Sequence, residues 1–175
     1  IFGLNPVVVF GTPEQKKRML PGLIAGKERA CFAVTEPNTG LNTTRIKTKA
    51  EKKGGKYLIS GQKVWISTAQ VAEKILLLAR TTPLEEARKS TLGLSLFYTD
   101  FDRKHIEVRE IEKMGRKAVD SNQVFFDTYP VPEEDRIGEE GKGFRYILDG
   151  MNPERILIAA EAIGIGRVAL KRATQ

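Results

Sequence analysis

The sequence predicts an α+β fold in which an antiparallel β-sandwich or β-barrel is flanked by helical segments. The hydrophobic period is helical up to about residue 30, becomes two between residue 31 and about residue 132, and is helical again after residue 138. Short strand patterns follow one another without helical patterns between them, which is typical of antiparallel sheets. With 175 residues, 41% of them hydrophobic, the chain is long enough to bury a core.

A helix is predicted to begin at Pro13. Thr12 is suited to be its N-cap, and Gln15 is placed to complete a capping box. Pro21 is expected to kink this helix or break it in two, and Gly26 to close it.

The period-two region contains a hairpin and a series of further strands. KILLLAR is apolar from Ile75 to Ala79, which predicts a central strand buried on both faces. Gly, Pro, Asp or charged residues separate the others. These strand patterns are TRIKTKA, KYLIS, KVWIS, LGLSLFYT, HIEVRE and NQVFFDTYPVP.

The C-terminal part is predicted to form two helices. GKGFRYILDG gives a short one, and Pro153 is placed to start a second. Residues 1–11 are apolar from the outset, and the last helix reaches Gln175 without a stop signal, so the sequence is expected to be an internal piece of a larger fold. One face of the second helix carries Ile156, Ala159, Ile163, Gly166 and Leu170.

Composition excludes several classes of function. The net charge of +7 suits an anionic partner, but aromatic residues are few and not interleaved with the charges, which disfavours nucleic acid. Cys31 and His105 are the only residues of their types, so neither an intramolecular disulfide nor a two-histidine metal site is expected. No apolar run approaches membrane-spanning length.

Five segments carry the functional information: FAVTEPNTG, GQKVWIS, KMGRKAVDS, VPEEDRIGEEGKGF and MNPERILIAAEAIG. In order and spacing they resemble the acyl-CoA dehydrogenase family of flavoproteins over essentially the whole chain. The resemblance implies the end of an N-terminal helical domain at 1–30, the middle β-domain at 31–135 and the start of a C-terminal helical domain at 136–175.

The resemblance also implies an FAD site at the Thr-Glu-Pro strand end. Phe32, Val34 and Thr35 would line the isoalloxazine ring, with the Thr35 hydroxyl near its reactive nitrogen. Trp65, the only tryptophan, would lie against the flavin, and Ser67 would hydrogen-bond to it. On an extended strand these two residues point to one face. Without the resemblance, Thr35 is an ordinary strand-end residue and Trp65 a half-buried strand aromatic.

The implied reaction is α,β-dehydrogenation of an acyl-CoA to the trans-2-enoyl-CoA. In the isovaleryl-CoA and long-chain subgroups the catalytic glutamate starts the helix that matches PERILIAAEA, which makes Glu154 the candidate base beside Arg155. In most members it lies on a C-terminal loop beyond this chain. Alternatively, Glu154 is a first-turn residue favoured by the helix dipole, which would lower its pKa. Glu161 is expected to be structural, and Glu36 to be a hydrogen-bonding residue.

The substrate-binding residues include one departure from the family. Where Gly-Ser-Asp is usual, this chain has Gly40, Leu41 and Asn42, and the missing serine helps hold the CoA chain. Ser121 and Arg155 are the other substrate-binding candidates, and Arg155 with nearby lysines would offset CoA phosphates.

Other functions remain open at this point. An acyl-CoA oxidase or a nitroalkane-oxidase-like flavoprotein would use a similar site, and a non-catalytic flavin- or CoA-binding module is the alternative outside the enzymes. The resemblance further implies a homotetramer or homodimer, an electron-transfer flavoprotein as electron acceptor, and the cytoplasm or mitochondrial matrix as location. No metal, nucleic-acid or membrane partner is expected.

Overall fold

The computed structural model describes residues 4–175, so the first three residues of the apolar segment 1–11 lie outside it. Within this range three helices flank eight strands. The helices are α1 (Asn5–Phe10), α2 (Pro13–Ile24) and α3 (Gly143–Ala173). The strands are β1 (Ala30–Ala33), β2 (Lys49–Lys53), β3 (Lys56–Ile66), β4 (Lys74–Arg80), β5 (Leu94–Asp100), β6 (Ile106–Glu110), β7 (Asn122–Pro132) and β8 (Arg136–Ile137).

The strands form an open sheet in the order β6, β7, β3, β2, β4, β5, β8. β1 runs parallel to β4 along residues 74–77, and β2 meets β4 at Arg80. The other pairs are antiparallel. The predicted α+β fold with a largely antiparallel middle region is confirmed. The barrel alternative is wrong, because no pairing within residues 4–175 joins β6 to β8 and closes the sheet.

β4 is the central strand, as its apolar run predicts, and it is buried on both faces. Ile75 and Leu77 belong to a core formed by residues of the sheet. Leu76 and Leu78 point the other way, because side chains alternate along a strand, and they belong to a second core under the helices. Each helix contributes to this second core, through Val7, Met19 and Tyr146 respectively.

Two of the expected strands, KYLIS and KVWIS, are one continuous strand, β3. A glycine between them reads as a break in the sequence, but Gly61 lies within the strand at a register shift. Its φ is +148°, and a Cβ there would come within 2.7 Å of the Thr48 Cα. Glycine therefore allows β3 to pass close to the chain that leads into β2.

α2 begins as its cap predicts. The Thr12 hydroxyl accepts a hydrogen bond from the Gln15 amide at 3.2 Å, and the Gln15 side chain accepts one from the Thr12 amide at 2.9 Å. The expected break at Pro21 is wrong, because this proline lies in the last turn, where the loss of one backbone donor does not prevent the helix from reaching Ile24. Gly26 follows the helix end with a φ of +67°.

One long helix, α3, replaces the two that the sequence predicts. Pro153 lies inside it rather than at a helix start. Proline removes only its own hydrogen bond to the carbonyl of Asp149, and the helical residues on both sides keep the remaining bonds. Glu154 is therefore in the interior of a helix and not in its first turn.

α3 lies so close to β5 that Gly143 has no room for a side chain. A Cβ there would lie 2.5 Å from the Leu96 nitrogen and 2.6 Å from the Ser95 carbonyl carbon. We expect Gly143→Ala to lower the free energy of unfolding in urea by about 1–3 kcal/mol, because the backbone must move. Gly164→Ala on the same helix is the control: nothing lies within 4 Å of it, and alanine favours a helix by about 1 kcal/mol. Equal stabilities of the two variants would contradict the close approach.

Candidate functional site

The chain that follows β1 meets β3 beside the tryptophan. The carbonyl oxygen of Thr35 accepts a hydrogen bond from the amide of Val64 at 2.9 Å. Val64 directly precedes Trp65. Thr35 is half-buried, and Trp65 is 59% exposed. The structure thus places Thr35 and Trp65 on hydrogen-bonded backbone segments.

Trp65 does not lie on a regular extended strand. Its φ is +62°, and β3 carries one extra residue relative to β7 between Lys63 and Ile66. The expectation that Trp65 and Ser67 point to one face stays a prediction, but its premise of an extended strand is wrong, because a bulge interrupts β3 at Trp65. Both side chains are nevertheless exposed, with Ile66 buried between them. A left-handed φ is costly for a bulky residue, and such strain is concentrated at functional sites.

Phe32 and Val34 both face the core under the helices. Phe32 is only partly buried, so it keeps surface that a ligand can contact. Val34 is 4% exposed, and the expectation that its side chain lines a ring is at odds with this burial. Its polar contribution is its carbonyl oxygen, which accepts a hydrogen bond from Lys63 Nζ at 2.9 Å.

A buried ion pair lies beside this segment. Lys63 is fully buried, Glu36 is 6% exposed, and Lys63 Nζ is 3.0 Å from Glu36 Oε1. The same carboxylate accepts hydrogen bonds from the amide of Lys47 at 2.6 Å and from the amide of Thr48 at 2.9 Å. Every buried charge in this cluster is therefore paired.

The Glu36 carboxyl stays ionised in this environment. Burial alone raises its pKa, but the charge of Lys63 and the hydrogen bonds from Thr48 and Lys47 outweigh burial and lower the pKa below its usual value. Burial also lowers the pKa of Lys63, and Glu36 opposes that shift. An ionised carboxylate that is buried and accepts three hydrogen bonds has the hydrogen-bonding role expected for Glu36.

Sequence reasoning missed Lys63, although a signal for it was present. Tyr57 and Ile59 are buried on β3, and period-two spacing carries the same face on through Gly61 to Lys63. A lysine at an inward position of a strand requires a buried anion, since an unpaired buried charge is very costly. The carboxylate of Glu36, in the Thr-Glu-Pro motif 27 residues earlier, was the candidate partner.

Asp120 holds the turn that follows Trp65. It accepts hydrogen bonds from the amides of Thr68, at 2.8 Å, and Gln70, at 3.3 Å, and from the side chain of Asn122 at 2.6 Å. Burial raises the pKa of Asp120, but the bonds from Asn122, Thr68 and Gln70 outweigh it, and the net shift is downward. Asp120 therefore stabilises the backbone that presents Ser67.

The two candidates for CoA contact next to these segments differ in exposure. Ser121 is only 7% exposed, and its carbonyl oxygen accepts a hydrogen bond from Ile111 at 2.7 Å. Leu41 is completely exposed in the loop after the Thr-Glu-Pro motif, and Asn42 accepts a hydrogen bond from Thr44 at 2.6 Å. Leu41 is available to a ligand, whereas Ser121 offers little side-chain surface.

Glu154 and Arg155 lie on α3. Glu154 is half-buried, and Arg155 is exposed and donates a hydrogen bond to Asn152 Oδ1 at 3.0 Å. Because α3 begins at Gly143, Glu154 lies in the helix interior, and the alternative of a first-turn residue favoured by the helix dipole is wrong. Further along α3, Glu161 pairs with Arg116 at 3.4 Å, which ties the helix to the loop leading to Asp120.

The surface beside Thr35 and Trp65 has the chemistry of a site for a flat aromatic ligand. The exposed indole offers an apolar face, while the half-buried Thr35, which carries a hydroxyl, lies on the neighbouring segment. Residues 4–175 contain no group of three or more His, Cys, Asp or Glu that could hold a metal ion. None of the helices in this range combines the length and apolar character needed to cross a membrane.

The motifs and the fold both point to one family. The family model described as "Acyl-CoA dehydrogenase, middle domain" matches residues 31–129. This chain belongs to the acyl-CoA dehydrogenase family. The match contains Thr35, Trp65 and Asp120, whereas Glu154 lies beyond it. The resemblance inferred from the five motifs is confirmed.

Acyl-CoA dehydrogenases of known sequence and structure match nearly the whole chain. An acyl-CoA dehydrogenase of Bacillus subtilis (strain 168) is 36% identical over 172 residues, covering 98% of this chain and 44% of its own length. The mitochondrial long-chain specific acyl-CoA dehydrogenase of Mus musculus is 36% identical over 155 residues, which cover 88% of this chain and 36% of the relative's own length. The structure of butyryl-CoA dehydrogenase from Megasphaera elsdenii matches with a TM-score of 0.85 and 31% identity. The match covers 95% of this chain and 43% of that structure's chain.

The chain therefore spans less than half the length of these relatives. The similarity confirms the predicted arrangement, in which helices flank a strand-rich middle region.

Proposed function

We propose that this chain is part of an FAD-dependent enzyme that oxidises an acyl-CoA to its trans-2-enoyl-CoA. The observation that carries the proposal is the pairing of the Thr35 carbonyl with the amide before Trp65, next to an exposed indole. Family membership and the relatives named as acyl-CoA dehydrogenases support this class of reaction.

The cofactor-binding residues are Phe32, Thr35, Trp65 and Ser67, with Val34 contributing from the core behind them. A bound flavin supplies the hydride acceptor. The Thr35 hydroxyl is a neutral donor suited to stabilise the negative charge that arrives with a hydride. Trp65 offers a flat face for stacking, and exposed Ser67 offers a further hydrogen bond from the turn after β3.

Glu154 is the proposed general base that removes the proton α to the thioester. Its half-buried position supports this role, because a carboxylate that is only partly covered by protein can still reach a substrate proton. The assignment rests on the resemblance, in which Glu154 matches the base position of the isovaleryl-CoA and long-chain subgroups.

We propose that the CoA moiety contacts Arg155 and the Leu41 loop. Arg155 is an exposed cation next to the proposed base, and so can pair with a phosphate. Leu41 stands where the family serine would hold the CoA chain, so the contact there is apolar. Ser121 is the weakest of the three because it is nearly buried.

The remaining proposals concern the protein as a whole. Residues 1–30, 31–135 and 136–175 belong to a helical, a β and a second helical domain. Electrons pass to an electron-transfer flavoprotein, and the protein forms a homotetramer or homodimer in the cytoplasm or mitochondrial matrix. These proposals rest on the family resemblance.

The function is tested by anaerobic reduction. The purified protein carrying this chain, with FAD bound, is mixed with acyl-CoA of varied chain length, and the visible absorbance of the flavin is followed. We expect bleaching that persists when air is admitted. Rapid reversal by air would instead indicate an oxidase, and binding without bleaching would indicate a non-catalytic module; either result would overturn the proposal.

A further inference from the structure

We infer that Lys63 and Glu36 are positioning residues that set the location of Thr35 relative to Trp65, an inference that rests on the proposed flavin function. Neither side chain is available to touch a ligand, since Lys63 is fully buried and Glu36 is 6% exposed. They act through the backbone segments that carry the two contact residues.

Lys63 holds the Thr35 segment from the β3 side. Its Nζ donates to the carbonyl of Val34 at 2.9 Å and to Glu36 Oε1 at 3.0 Å, and these residues lie on either side of Thr35. The next residue of β3, Val64, bonds to the Thr35 carbonyl at 2.9 Å. Three consecutive residues are thus each bonded to β3 within two residues of Trp65.

Glu36 holds the same segment from the other side. Its two oxygens accept the amides of Lys47 and Thr48, which lie just before β2. The Thr48 hydroxyl donates to the carbonyl of Gln62 at 3.3 Å, which leads back to β3. The bonds form a closed ring through the Thr-Glu-Pro segment, the approach to β2 and β3, so the Thr35 backbone is fixed from two directions.

Stability alone is a weak reason for a buried pair of charges. Desolvation offsets most of the attraction, and apolar side chains of similar volume are often equally stable in such positions. An apolar pair could not make the directional hydrogen bonds that Lys63 and Glu36 make to the backbone of Val34, Lys47 and Thr48. Trp65, which follows this ring directly, has a left-handed backbone conformation with a φ of +62°. Such a strained conformation persists only where the surrounding structure holds it.

The test compares Lys63→Met/Glu36→Gln with Arg18→Met. The double variant removes both charges, so no buried carboxylate is left unpaired. Arg18→Met is the matched control, because Arg18 pairs at 2.6 Å with another buried carboxylate, Asp135. Both proteins are labelled with 5-fluorotryptophan, and the Trp65 resonance is identified by its loss in Trp65→Phe.

In the absence of flavin, the fluorine resonance of Trp65 should be shifted in the double variant relative to the wild type. The double variant should also bind FAD at least about tenfold more weakly, since misplaced contact groups bind poorly. Arg18→Met should leave the fluorine resonance of Trp65 and the affinity for FAD at their wild-type values. An unchanged resonance together with unchanged FAD affinity in the double variant would overturn the inference.

Two further measurements keep this result decisive. If the double variant does not fold, Glu36→Gln alone is used, and the same shift and weaker binding are expected, because it breaks the ring while Lys63 remains. If the wild-type protein binds no FAD, the proposed function fails, but the fluorine resonance still shows whether the pair positions Trp65.

Discussion

Glu154→Gln is expected to slow flavin reduction by acyl-CoA by about 10²–10⁴-fold while FAD stays bound, because glutamine cannot accept the α-proton. The prediction follows from the proposed role of Glu154 as the base and from its half-buried position in the interior of α3. The rate is measured by anaerobic stopped flow at saturating acyl-CoA, so that a change in substrate affinity does not enter the comparison.

Glu161→Gln is the control for this variant. Glu161 lies seven residues later on the same helix, is exposed and pairs with Arg116, so its loss removes a carboxylate from α3 without affecting the proposed base. We expect it to reduce flavin at the wild-type rate. If Glu154→Gln retains that rate as well, the assignment is contradicted, and a carboxylate elsewhere in the protein must be the base.

Lys63→Met is expected to lower the free energy of unfolding by about 3–5 kcal/mol at neutral pH, because it leaves the Glu36 carboxylate buried without its cation. The measurement is urea unfolding of the wild type and the variant. Arg18→Met serves again as the control, since its guanidinium is half exposed and a weaker effect is expected.

The pH dependence of this loss gives a sharper test. In the wild type the folded pKa of Glu36 is lowered, so its stabilisation is present above the usual value of 4.5 and is lost as the pH falls through the folded pKa. Lys63 stays protonated at acid pH in both states, because its lowered pKa is still about 8.

In Lys63→Met the Glu36 carboxyl loses the cation that opposes the effect of burial, so its folded pKa rises from the wild-type value, while the hydrogen bonds from Thr48 and Lys47 remain. Acid then neutralises the unpaired carboxylate of the variant before that of the wild type. The stability deficit of the variant should therefore shrink as the pH falls from about 7 through the usual carboxyl value of 4.5. A deficit that stays constant or grows over this range would contradict the account of the pair.

Hydrophobic period predicted the strand-rich middle, and cap chemistry predicted the start of α2. Both signals are local, since Thr12 and Gln15 are three residues apart and each side chain accepts a hydrogen bond from the backbone amide of the other. The distant carbonyls of Glu134 and Arg136, which also accept hydrogen bonds from the Gln15 side chain, could not be predicted from this pattern. The predicted helix start at Pro153 is wrong because the continuity of α3 is not decided by one residue. A single proline is a local stop signal, but the helical residues before and after it keep α3 continuous.

The sequence suggested the residues of the candidate site, which stay predictions, but it did not predict the backbone geometry around them. The motifs identified Thr35 and Trp65, and their pairing through Val64 is a contact between segments far apart in sequence. The bulge at Trp65 depends on the register between β3 and β7, which no local pattern encodes. Lys63 was missed because its partner, Glu36, is distant in the chain and was assessed by itself.

A crystal structure of the protein with FAD bound tests the central claim most directly. The account predicts that the isoalloxazine ring lies within about 4 Å of both the Thr35 and the Trp65 side chains. A ring bound elsewhere on the protein, or a Thr35 hydroxyl and Trp65 indole that face separate regions around a space filled by the protein's own side chains, would contradict it.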